Sequence, residues 1–362
     1  MDLAEKKIRR QNRDIVLILI PVVFLIAKVI HIYLLPDKYY FDSWRMLSMM
    51  SEEGNMIAWT GYQSTVDFYQ AINIFGFSTL SQWSIGIGLI MTPITMFMIS
   101  KTKEMSFREA LFTLMAMGLL NIYVFSITKE TIQFLFFMAI YIIICLPINS
   151  TFIKLLGCAG IFYWESTFYR GYYIIMAAMA VFLYFVFLWL KNRVVIKKKD
   201  VIISIVMCYA VLLFMMYMSQ YIMPEDYSEA INVRDISVNE DASTAIINPV
   251  EVKDNYGNFA IDYVINSIRM MFPIELVFKG VLYIPFFIYQ IFILIYFIKT
   301  LGSIKKVESN MLVVLSCFSA YLFGSFIFEP DFGSWVRHEA ATFPLLQVMA
   351  YKCEGYDTAN ES

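Results

Sequence analysis

Asp14-Ile-Val-Leu-Ile-Leu-Ile-Pro-Val-Val-Phe-Leu-Ile-Ala-Lys-Val-Ile-His-Ile-Tyr-Leu-Leu35 decides the fold. A largely apolar run of about 20 residues matches the hydrocarbon core of a bilayer when helical. Five cations precede it (Lys6, Lys7, Arg9, Arg10 and Arg13), and such a basic flank places the N-terminus in the cytoplasm. No small-residue cleavage motif follows, so the run reads as a retained helix and not a signal peptide. The rest of the chain is of the same kind. With 59% hydrophobic and only 16% charged residues over 362 positions, it is too apolar for a soluble protein of this length. The expected fold class is all-α, a polytopic integral membrane protein of about ten transmembrane helices.

Outward from that run, spans are expected at about 14–35, 78–100, 109–126, 131–147, 152–168, 171–190, 201–223, 280–300, 311–328 and 338–352. Together they form one membrane domain over 1–352, with a short cytoplasmic tail at 353–362. Two extracytoplasmic stretches interrupt it, 36–77 and 224–279, and 41–50 reads as an interfacial amphipathic helix. The insert 224–262 holds nine acids and two bases and reads as a mobile loop; 263–279, with Arg269, Pro273, Glu275 and Lys279, reads as a re-entrant or interfacial helix. With both termini inside, 18 Lys and Arg fall on the cytoplasmic side and 9 outside, as the positive-inside rule requires. The five cysteines show no metal-type spacing and read as packing residues; with two histidines in the chain, no metal site and no cofactor are expected.

This layout sends the charges set tightly against apolar sequence to the non-cytoplasmic side. They are Asp42 and Arg45, Lys129 and Glu130, Glu165 and Arg170, Arg269 and Glu275, and the group Glu329, Asp331, Arg337, His338 and Glu339. Ionisable groups at the mouth of a membrane helix are costly and therefore functional candidates. Each also has a plainer reading. Lys129-Glu130 suits a solvated turn, Asp42 and Arg45 an ordinary i, i+3 ion pair, and Arg170 an arginine snorkelling in an aromatic belt. Lys28 and His31 suit hydrogen bonding inside the bundle, and a substrate role stays open for both. Arg337 is the strongest candidate, because arginine cannot discharge and needs an anionic partner there.

Clustered Arg and Lys favour a diphosphate, carboxylates favour sugar hydroxyls and supply a general base, and aromatics stack on sugar faces. The candidate aromatics are Tyr39, Tyr40, Trp44, Trp59, Trp164 and Trp335. A lipid-diphosphate-linked sugar meeting a sugar hydroxyl fits all three.

Four short stretches carry a resemblance: Tyr39-Tyr-Phe-Asp-Ser-Trp-Arg45, Ser126-Ile-Thr-Lys-Glu130, Tyr169-Arg-Gly-Tyr-Tyr173 and Gly333-Ser-Trp-Val-Arg-His338 followed by Pro344. With the number of spans, they resemble the Wzy-like and EpsG-like membrane polymerases of O-antigen, capsular and exopolysaccharide synthesis. The resemblance implies a metal-independent glycosyltransferase of the cytoplasmic membrane that joins repeat units carried on undecaprenyl diphosphate. It implies Arg170 and Arg337 on the diphosphate, with Lys129 and Glu130 in the same pocket. The expected catalytic set is Glu130, Glu165, Arg170, Arg337 and His338; the expected substrate-binding set is Tyr39, Asp42, Arg45, Lys129, Arg269 and Glu329. Expected partners are the polyprenyl-diphosphate-linked oligosaccharide, the bilayer, a flippase and a chain-length regulator, with no nucleic acid. Many such polymerases carry an arginine-rich external loop, whereas the insert here is acidic.

Two other classes compete. A transferase using a polyprenyl-phosphate sugar, often with a metal held by acids in the first external loop, would use Asp42, although no adjacent acidic pair occurs in 39–45. A lipid-oligosaccharide flippase would show matched halves with broken helices at the midplane, and the prolines here are scattered without such symmetry.

Overall fold

The computed structural model describes residues 3–51, 60–225, 227–228, 244–250, 255–329 and 331–355. Most of the acidic insert, Trp59, Pro330 and the end of the tail lie outside these. The described residues are helical, with one isolated antiparallel bridge, Ala245 to Asp331, and no strand. Seven helices among them are long and apolar enough to cross a membrane: Leu3–Leu34, Leu80–Ser100, Phe107–Val124, Tyr173–Lys191, Lys198–Ile222, Val281–Gly302 and Ser309–Phe328. The chain is therefore an all-α, multi-pass membrane protein. The other three expected spans are also helices, Lys129–Cys145, Thr151–Phe168 and Phe343–Gly355. Their lengths are 17, 18 and 13 residues, the first two at the short end of the range for a crossing and the third below it.

The chain divides into two compact units, one of residues 1–139, 168–170 and 340–362, the other of 140–167 and 171–339. In the first, α1 (Leu3–Val29) packs on α4 (Leu80–Ser100) and α5 (Phe107–Leu119). Between α1 and α4 lie the short α2 (Phe41–Met50) and α3 (Thr60–Ile72), which pack on each other. Both α4 and α5 begin at capping boxes, Thr79/Gln82 and Ser106/Glu109, where a small hydroxyl residue three before Gln or Glu satisfies the first free amides. Helix α6 (Lys129–Cys145) starts in this unit.

In the second unit, α7 (Thr151–Phe168) precedes α8 (Tyr173–Lys191) and α9 (Lys198–Ile222). The acidic segment then gives way to α10 (Tyr256–Met271) and α11 (Glu275–Lys279), followed by α12 (Ile284–Gly302), α13 (Ser309–Phe328) and α14 (Phe332–Ala341). Helix α13 is the centre: 89% of its apolar window is buried, against 22% for α9 and for Val281–Gly302. It packs on α8 and α10. Gly324 makes this possible, since a Cβ there would stand 2.7 Å from Met176 Cε and 2.8 Å from its Cγ.

Besides the earlier start of α1 at Leu3 and the added helix α3, two segments differ from the sequence reading. The helix expected at 263–279 begins at Tyr256, because the Asn255 side chain accepts from the amides of Gly257 and Asn258 and caps it. It breaks at Pro273, leaving α11 separate. The span expected at 338–352 is divided: α14 ends at Ala341 and α15 (Phe343–Gly355) starts anew with Pro344 in its first turn, where the missing N–H costs nothing. Of the cysteines, Cys158, Cys208 and Cys317 are buried as expected of packing residues, Cys145 is exposed, and the Cys353 side chain is outside the description.

Candidate functional site

In the first unit four segments bring polar groups together: α2 with Asp42 and Arg45, α3 with Tyr62, the start of α6 with Lys129 and Glu130, and the 168–170 turn with Tyr169 and Arg170. Lys129 Nζ is 3.1 Å from Asp42 Oδ2 and donates to Tyr62 Oη at 2.9 Å. Tyr62 in turn donates to Asp42 Oδ1, closing a three-membered polar ring. The Tyr62 ring also faces two cations, with the Lys129 ammonium 4.1 Å and the Arg45 guanidinium 4.6 Å from its centroid. Tyr169 Oη donates to the Lys129 carbonyl at 3.0 Å, and the Arg170 guanidinium lies 5.4 Å from the Tyr169 ring centroid. Gly61 permits this approach, because a Cβ there would be 3.1 Å from the Tyr169 carbonyl oxygen.

The cluster has three cations, Arg45, Lys129 and Arg170, and two carboxylates, Asp42 and Glu130. Burial works against the Lys129 charge, but Asp42, then Tyr62 and Glu130, outweigh both burial and repulsion from Arg170, so its pKa is raised. Burial raises the Tyr62 hydroxyl, with Asp42 adding to the rise and Lys129 opposing it. The group is thus a fixed array of cations over two aromatic rings, Arg45 and Lys129 on Tyr62 and Arg170 on Tyr169, fit to receive an anion. Glu130 is buried in the first turn of α6, where the helix N-terminus favours a carboxylate.

The second unit holds the other candidates differently. Arg269 Nε is 2.6 Å from Glu275 Oε1 and Nη2 2.9 Å from Oε2, a two-pronged pair. Its Nη1 donates to the Ile247 carbonyl and to Asn266 Oδ1, at 2.8 and 2.7 Å. Arg269, expected at the substrate, here ties together α10, α11 and the 244–250 segment. Glu329 is buried and bonds His338 Nδ1. Arg337 Nη2 donates to Ser334 Oγ at 3.0 Å, which donates to Asp331 Oδ2 at 2.7 Å; Thr244 Oγ1 donates to Asp331 Oδ1 at 3.0 Å. Glu339 is fully buried beside Gln290. Glu165 is buried on α7.

Of the expected sugar-stacking rings, Tyr40 and Trp335 are withdrawn. Tyr40 is buried with its hydroxyl on the His31 carbonyl, and Trp335 is buried with its indole N–H on the Met270 carbonyl, at 2.8 and 3.1 Å. Trp44 and Trp164 remain exposed, Tyr39 is half-buried, and Trp59 is outside the described residues. A shallow depression in the second unit, with room for about one water (about 10 Å³), is lined by Tyr172, Ile175, Met216, Met223 and Phe328 with Ser219 and Tyr227, and no charged group lines it. Among the described residues no group of three or more His, Cys, Asp or Glu is arranged to hold a metal.

Sequence reasoning missed Tyr62, the residue on which the first cluster is built. Its only signal was a tyrosine at i and i+7 with Tyr69 in a polar stretch, which a surface helix shows equally well. No family model matches this chain, and no curated protein or solved structure matches it either.

Proposed function

We propose that this chain is a polymerase that joins polyprenyl-diphosphate-linked oligosaccharide repeat units into a surface polysaccharide at the outer face of the cytoplasmic membrane. A topology of ten spans with both ends in the cytoplasm belongs to the same reading, since it turns the candidate charges outward. The observation that carries it is the cluster of Arg45 and Lys129 over the Tyr62 ring and Arg170 over Tyr169, with Asp42 and Glu130 beside Lys129. Arg337 and the roles of both arginines on the diphosphate come from the resemblance.

In this reaction the acceptor hydroxyl oxygen bonds to the anomeric carbon of the donor sugar. The bond from that carbon to the diphosphate oxygen breaks, and its electron pair leaves with the polyprenyl diphosphate. The hydroxyl proton passes to a carboxylate acting as general base. The sugar crosses an oxocarbenium-like state while negative charge grows on the leaving group, and preplaced cations stabilise that charge.

The test is chain length. Arg170→Ala and Arg337→Ala should leave the protein inserted and abundant, abolish long polymer, and make lipid-linked single repeat units accumulate. Normal polymer from both variants retires the reading, and loss of wild-type activity with a chelator favours the metal-dependent transferase instead.

A further inference from the structure

Lys28 lies in the apolar part of α1, and among the described residues no carboxylate pairs with it. It is 5% exposed and donates to three acceptors: Ser84 Oγ at 3.0 Å, the Asn121 carbonyl at 2.7 Å and the Phe125 carbonyl at 2.8 Å. Two of these are main-chain groups of the segment where α5 ends. That end is wound as a π turn, Leu120–Val124, in which the Phe125 amide bonds the Leu120 carbonyl at 2.6 Å. In a regular helix that amide would bond Asn121. The π turn therefore frees the Asn121 carbonyl, and Lys28 takes it.

The same happens one residue on. The Ser126 amide turns to the Val124 carbonyl, which frees Ile122, and His31 Nδ1 takes the Ile122 carbonyl at 2.5 Å. Lys28, in the last turn of α1, and His31, in the π turn Ile30–Leu34 that follows it, thus replace the bonds that the α5 end has lost. From the other side Tyr69 Oη contacts the carbonyls of Ser126 and Thr128 at 3.0 and 2.8 Å and accepts from the Thr128 amide at 3.0 Å. The next residue is Lys129.

A second observation points the same way. A Cβ on Gly88 would stand 2.6 Å from Lys28 Cε, 3.0 Å from its Nζ and 2.8 Å from Phe24 Cε2, so the lysine and the Phe24 ring beside it both need the bare position. The α4 helix keeps an empty place at the position the lysine crosses to reach these carbonyls. A snorkelling lysine needs no such channel.

We infer that Lys28, with Gly88 as its passage, is a positioning residue: it pins the unwound 125–128 turn and thereby sets where Lys129 meets Asp42 and Tyr62. Its effect on ligand binding rests on the proposed function; its effect on the turn does not. The full-length protein in nanodiscs tests both, as wild type, Lys28→Met, Gly88→Ala and Lys129→Ala. Deuterium exchange of residues 125–131 should quicken by about tenfold in Lys28→Met and Gly88→Ala, with α13 unchanged, because buried carbonyls lose their donor. Unchanged exchange in both overturns the inference, and Gly88→Ala decides it alone where Lys28→Met does not insert.

The probe for the second arm is a short-chain polyprenyl diphosphate. Wild type should bind it, Lys129→Ala should not, and Gly88→Ala should weaken it about tenfold with Lys129 itself intact. Wild-type affinity in Gly88→Ala overturns the positioning link. No wild-type binding sinks the functional reading, while the exchange arm still decides what Lys28 does.

Discussion

Lys129 and Arg269 are both cations against apolar sequence, and the structure uses them in opposite ways. Arg269 spends its donors on a carboxylate, a carbonyl and an amide oxygen of its own unit. Lys129 holds one carboxylate and one tyrosine hydroxyl, with further cations close by. A guanidinium whose prongs are matched one by one is a clamp. A crowd of cations that outnumbers its carboxylates favours one more anion. Two sites that look alike in sequence differ in that balance.

The comparison breaks first if Lys129 is dispensable. Under the proposed function, Lys129→Ala should lower polymer synthesis by about 100-fold or more, the size of a lost preorganised charge contact, with the protein still inserted; gel analysis of polymer length checks this. Arg269→Ala should act on stability, lowering it by roughly 1–2 kcal/mol in a detergent melt, at the modest end because Glu275 is more than a third exposed. If Arg269→Ala instead kills synthesis at full stability, the clamp assignment fails. Tyr62→Phe keeps the ring under both cations and removes only the hydroxyl bridge. Its activity should fall by about tenfold, the worth of one hydrogen bond, while Tyr62→Ala should fall further.

The smallest effect is in pH. The Lys129 pKa is raised on folding, so its contribution to stability is complete below the unfolded lysine value of about 10.4 and disappears only as pH climbs through the higher folded value. Stability measured from pH 6 to 9 should therefore be the same in wild type and Lys129→Gln apart from a constant offset. A difference that changes across that window would contradict the raised pKa.

Helices were legible because long apolar runs have one answer in a bilayer. Segments with mixed composition were legible only in part. Asn255 starts α10 through a cap that depends on its own rotamer, and Pro344 sits in the first turn of α15 where the sequence reading drew one span across it. In the site, Asp42, Arg45, Lys129, Glu130 and Arg170 could be nominated from charge against apolarity. Tyr62 could not, since a tyrosine in a polar helix carries no mark of what it will face. Arg269 was nominated for the same reason as Lys129, because charge patterning sees the cation and not the carbonyls that will consume it. Lys28 was seen as a bundle hydrogen-bonder or a ligand contact; its partners are carbonyls exposed by a π turn, which side-chain patterns do not encode.

The near-complete enclosure of α13 has a mechanical consequence. Lipid chains press on α9 and α12, which present most of their length to the hydrocarbon, and a bilayer that thins or thickens tilts such helices to match. A rod walled in by its neighbours feels that pressure only second-hand. It can keep its length and angle while the surrounding helices adjust, as a tent pole does when the canvas is drawn tight.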